Sequence, residues 1–148
     1  MDQTALVRRL EVDGERLTAM LRDDPAFELT ASFWWWDAEA SSWLLVIASE
    51  DYKNDGPKST YKRIQRHAKK LGSKRARSPL TLSMVSAISP SDRRVAAMAS
   101  AMSVTSSTVR ITGSNLNGVQ VDGALIYELS LASALPEESA IPTPAIAT

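Results

Sequence analysis

The stretch FELTASFWWWDAEASSWLLVIA, residues 27–48, decides the fold. Its first part changes side at every residue. Phe27, Leu29, Ala31, Phe33 and Trp35 share one face of an extended chain, and Glu28, Thr30, Ser32, Trp34 and Trp36 share the other. Asp37 to Ser42 is a polar connection. Trp43 to Ala48 is apolar on both faces, which suits a strand inside a sheet rather than one with a solvated side. The pattern predicts a hairpin of two strands, 27–36 and 43–48, with the second strand internal.

The flanks read as helices. Leu6, Leu10, Leu17 and Leu21 recur at helical spacing over 3–22. Gly14 interrupts that segment at a cost of about 1 kcal/mol relative to alanine, and Pro25 ends it. On the other side, Gly56-Pro57 opens a helix over 57–71, since proline suits the first helical position. Tyr61, Ile64, Ala68 and Leu71 form its apolar stripe. Lys62, Arg63, Arg66, Lys69 and Lys70 fall opposite, with Gly72 as the stop. Lys74, Arg75 and Arg77 carry the positive charge onward.

Further along, Leu80, Leu82 and Met84 alternate and predict a strand over 79–87. Ser89-Pro90-Ser91-Asp92 predicts a helix capped by Ser89 and running to about Ser100–Met102. Its buried side takes Val95, Met98 or Ala99, and Met102. Two more strands are expected near 107–112 and 124–129. Asn117-Gly118 and Asp122-Gly123 are turn signals that would leave a very short strand at 119–121. The expected fold is α+β: a largely antiparallel sheet of about five strands with about three packed helices. Residues 1–132 form a single compact domain in this reading, and 133–148, with Pro136, Pro142 and Pro144, form a mobile tail.

Composition narrows the chemistry. There is no cysteine, which removes disulfides, thiolate nucleophiles and cysteine-held clusters. One histidine, His67, does not make a structural zinc site of the common kind. Composition assigns no cofactor or metal, and it leaves magnesium or manganese on carboxylates open. No apolar run approaches the roughly 20 residues that span a bilayer, and MDQTALVRRLEVDGE lacks the order of a secretory signal. A cytoplasmic location without membrane contact is the expectation. The formal net charge is zero but unevenly spread. Residues 51–77 carry ten basic and two acidic side chains, whereas 1–50 carry four basic and ten acidic.

That segregation makes the basic helix the first candidate site. Lys62, Arg63, Arg66, Lys69, Lys70, Lys74, Arg75 and Arg77 suit three roles. They suit a solvated face, a contact for an acidic protein or a second copy, or a phosphate contact for nucleic acid. No helix-turn-helix pair, zinc finger or glycine-rich RNA motif accompanies them. Trp34 and Trp36 are the second candidate, as an exposed aromatic surface set against a place in the core.

A third pattern carries chemistry. Asp37, then Asp51 and Lys53, resembles the acid and acid-x-lysine arrangement of metal-dependent nucleases. That resemblance implies two carboxylates on magnesium and a lysine near the attacked phosphate. Trp36 stands where that pattern often has proline, and Asp51 and Lys53 fall in a turn-like stretch past the strand. No phosphate loop and no serine elbow is present, and no residue is assigned a catalytic role. The leading expectation is a non-enzymatic interaction or oligomerisation domain. A nucleic-acid-binding module and a divalent-metal nuclease are the alternatives.

Overall fold

The computed structural model describes residues 6–71, 80–104 and 107–130. The first helix, α1, spans Arg8–Asp23. The hairpin follows as β1, Leu29–Asp37, and β2, Ser42–Ser49. Two helices, α2 at Glu50–Asp55 and α3 at Pro57–Ala68, meet at Gly56. A short 3₁₀ turn at Leu82–Met84 leads into β3, Val85–Ile88, and then α4, Arg93–Ala99. β4, Val109–Leu116, and β5, Val119–Leu129, close the described chain.

The five strands form one sheet in the order β3-β2-β1-β5-β4. All pairings are antiparallel except β2 with β3. This is the largely antiparallel α+β fold that the sequence implied. β1 is the middle strand, and β2 is internal, as its two apolar faces required.

Each face of the sheet has its own core. Leu17, Leu21, Trp34, Leu45, Ile47, Ile64 and Leu125 join α1 and α3 to one face. Phe33, Val46, Val95, Met98, Ile126 and Leu129 join α4 to the other. Alternation along β1 thus sends Trp34 to one core and Phe33 to the other. A register irregularity between Leu29 and Ala31 interrupts the alternation. Phe27 and Leu29 consequently pack in the α1–α3 core, not on the face shared by Ala31 and Phe33.

Gly14 has a packing role. A Cβ there would lie 2.6 Å from Trp34 Nε1 and 3.1 Å from the Tyr127 hydroxyl. The helix crosses the sheet closely at this point. Tyr127 donates its hydroxyl to the Glu11 carbonyl at 2.6 Å, and Thr18 and Ser32 hydroxyls meet at 2.7 Å in the same buried layer.

Several local expectations change. Leu80, Leu82 and Met84 do not alternate along a strand; all three reach the α1–α3 core, two of them from the 3₁₀ turn. Asp92, not Ser89, caps α4, accepting the Arg94 N–H at 2.9 Å. Ser89–Asp92 instead closes a turn, with Pro90 in a position that suits its fixed φ. Asn117 and Gly118, both at positive φ, make the two-residue turn of the β4–β5 hairpin. Asp122-Gly123 is no turn but lies within β5, so the short strand and its neighbour are one. The expected stop at Gly72 and the tail at 133–148 lie outside the described residues.

Candidate functional site

α3 places the basic residues. Thr60 and Ile64 are fully buried, and Tyr61 and Ala68 pack against the same core. Tyr61 also reaches β3, where its hydroxyl accepts the Ala87 N–H at 2.9 Å. With that face anchored, Lys58, Lys62, Arg66, Lys69 and Lys70 are exposed. Steps of four residues set Lys58, Lys62 and Arg66 along one slanting ridge of α3, with about 6 Å of helix between neighbours, and Lys69 and Lys70 follow its last turn. None of these five has an ion pair among the described residues. Arg66, Lys69 and Lys70 also sit at the helix C-terminal end, where the dipole favours cations.

Arg63 departs from the stripe. Its Nη1 lies 2.9 Å from Asp51 Oδ2 and 3.1 Å from Asp55 Oδ2. The Asp51 contact, chiefly, raises its pKa above the ordinary arginine value. Asp51 is 6% exposed, so Arg63 neutralises a buried acid and ties α2 to α3. It is a structural clamp and not a free contact residue. Lys74, Arg75 and Arg77 lie outside the described residues. Of the five described cations of the sequence expectation, Lys62, Arg66, Lys69 and Lys70 are exposed.

The aromatic-surface expectation is corrected. Trp34 is 0% and Trp36 6% exposed. Trp34 fills the space beneath α1, and Trp36 packs edge-on to Trp43 across the hairpin with ring centroids 5.4 Å apart. The half-buried member of the triplet is Trp35, with the Arg94 guanidinium 5.7 Å from its ring centroid.

The nuclease-like set does not assemble. Asp37 pairs with Ser42 at the turn end of the hairpin, while Ser49, next to α2, pairs with Leu29 at the other end. Asp37 and Asp51 are therefore roughly 25 Å apart at ordinary strand rise. The stretch read as turn-like is helix α2, with Ser49 as its cap. Asp51 is held by Arg63, and Lys53 lies 4.0 Å from Glu50. Among the described residues no three histidines or acids gather in a way that could hold a metal ion.

Two clefts flank α1, of about 310 Å³ and about 290 Å³. Their cationic walls are already engaged, Arg110 with Glu11 at 3.4 Å and Arg22 with Glu128 at 2.9 Å. Neither cleft joins a nucleophile to a base.

One contact gave no sequence signal. His67 Nε2 lies 2.7 Å from Asp24 Oδ2, linking the end of α3 to the end of α1. The two residues are 43 positions apart, and neither belongs to a motif. Comparison with family models, with curated proteins and with solved structures gives no match. No described helix is long and apolar enough to cross a membrane.

Proposed function

We propose that this chain is a non-enzymatic interaction domain that docks an acidic protein surface, on a partner or a second copy, against the outer face of α3. One observation carries the reading. Lys62 and Arg66 are exposed on α3, and Lys69 and Lys70 just past its last turn, while the opposite side of the helix is fixed in the core. Arg63 meanwhile serves the fold through Asp51 and Asp55. A row of exposed cations steers an anionic partner and sets its register.

The same row suits phosphate, but among the described residues no exposed aromatic group stands beside it to stack on bases. Tyr61 is packed and bonded to β3, and Tyr52 packs on the α1–α3 core. That favours carboxylates over nucleobases as the partner chemistry.

The test compares binding of dye-labelled poly-aspartate with labelled single- and double-stranded DNA and RNA, each at two salt concentrations. The control reverses Lys62, Arg66, Lys69 and Lys70 to glutamate. Salt-sensitive binding of poly-aspartate that the reversed variant loses supports the proposal. Tighter binding of nucleic acid, lost in the same variant, would replace it with the phosphate reading. Sedimentation over a wide concentration range separates a second copy from a different partner.

A further inference from the structure

His67 is the chain's one histidine, and it sits beside the cationic row. Its Nε2 is 2.7 Å from Asp24 Oδ2, and both side chains are largely buried, at 13% and 21% exposure. Asp24 is itself fixed. Its Oδ1 accepts the Ala26 N–H at 2.8 Å, and its own N–H bonds the Leu21 carbonyl at 3.2 Å. Arg66 lies close enough to act on the same carboxylate. This carboxyl sits below its ordinary value of 3.8, first because of the His67 hydrogen bond and then because of the Ala26 N–H. It stays ionised across the range, between pH 5 and 8, in which imidazoles ordinarily change charge.

The net charge of the couple thus depends on one proton. With a neutral ring, Asp24 and His67 together carry one negative charge beside Arg66. With a protonated ring they carry none. The helices that meet here carry other charges, among them the exposed Asp23 next to Asp24. α1 brings Arg16, whose Nη1 is 3.3 Å from the Leu71 carbonyl, and Asp24 caps its C-terminal end. α3 brings Arg63 and Arg66, and Lys70 follows it. α2 brings Asp51 and Asp55, both held by Arg63. β3, from Val85 to Ile88, brings no titratable group.

We propose that the Asp24–His67 couple regulates the α3 contact surface, weakening its hold on an anionic partner when the ring is neutral and strengthening it when the ring takes up a proton. This rests on the reading of the α3 row as a contact surface. For an anion held at a separation of about 7 Å, removal of one negative charge would give a roughly two- to threefold gain in affinity at low salt by Coulomb's law in water.

The experiment titrates dye-labelled poly-aspartate, which remains ionised throughout, with the full chain at about pH 5.5 and about pH 8. His67→Gln and His67→Lys are measured in parallel, after thermal unfolding shows that both fold. The expected result is tighter binding by the native chain at the lower pH. His67→Gln should hold the weaker affinity at both values, and His67→Lys the tighter. Equal affinity of the native chain at the two values overturns the regulation while leaving the contact surface intact. Binding absent at both values, for the native chain and the charge-reversed α3 variant alike, overturns the contact surface and the regulation with it. The C–H resonances of the chain's one imidazole give an independent reading, and a ring that holds one charge state from about pH 5 to about pH 8 overturns the regulation whatever α3 binds.

Discussion

Gly14 and Trp34 are in such close contact that a Cβ on Gly14 would stand 2.6 Å from the indole nitrogen. Trp34 cannot retreat, because it is 0% exposed beneath α1 and flanked by Tyr127. Gly14→Ala would ordinarily gain about 1 kcal/mol of helix propensity. Overpacking a filled core costs about 1–3 kcal/mol. The variant should be less stable than the native chain in urea denaturation. A more stable Gly14→Ala would show that α1 can lift off Trp34 at no cost.

Arg63 and Arg66 are one helical turn apart and should behave oppositely. Arg63→Ala leaves Asp51 buried without its partner, so the denaturation midpoint should fall clearly. Arg66→Ala removes an exposed cation and should leave the midpoint nearly unchanged. Binding should reverse the order: Arg66→Ala should weaken poly-aspartate capture more than Arg63→Ala does. Equal effects on stability would remove the distinction drawn between the clamp and the contact row.

Tyr61 gives a prediction about association. Its hydroxyl satisfies the Ala87 N–H on β3, an edge strand. Edge strands with open hydrogen-bonding groups invite pairing with other chains. Tyr61→Phe should cost about 1–3 kcal/mol, the price of an unsatisfied buried amide. It should also raise light scattering during incubation near the melting temperature. A variant as clear and as stable as the native chain would refute this role.

Acid sensitivity follows from two carboxyls. Asp24 is held below its ordinary value chiefly by His67. For Asp92, burial acts upward, but the Arg94 side chain and N–H outweigh it and hold the carboxyl low. A depressed folded value contributes stability that is present above the unfolded value and is lost as pH falls through the folded one. Stability should therefore decline below about pH 4 on account of these groups. Asp92→Asn keeps a good cap and removes the charge, so it should flatten that decline. An unchanged acid limb of the stability profile would show that Asp92 does not contribute.

The sequence made the hairpin and the internal place of β2 legible because alternation and double-sided apolarity are local signals. Asn117-Gly118 was readable for the same reason, since few residue pairs accept positive φ twice. Asp122-Gly123 looks alike in sequence yet lies in a strand, because pairing with β4 overrides a local turn preference. The face of Leu29 was misread because a register irregularity leaves no mark in a pattern of period two. At the site, helical spacing separated charged from apolar positions on α3 but could not show that Arg63 turns toward α2. The partnership of His67 with Asp24 depends wholly on how α1 crosses α3, which no local pattern encodes.

The strand order also constrains how the chain matures during synthesis. β1 lies at the centre of the sheet, yet its second neighbour, β5, is the last strand described. A nascent chain can close the β1–β2 hairpin early but must leave the far edge of β1 unpaired until residues 124–129 emerge from the ribosome. Through that interval the three consecutive tryptophans lie on an incomplete template, the period in which a chaperone has most to protect.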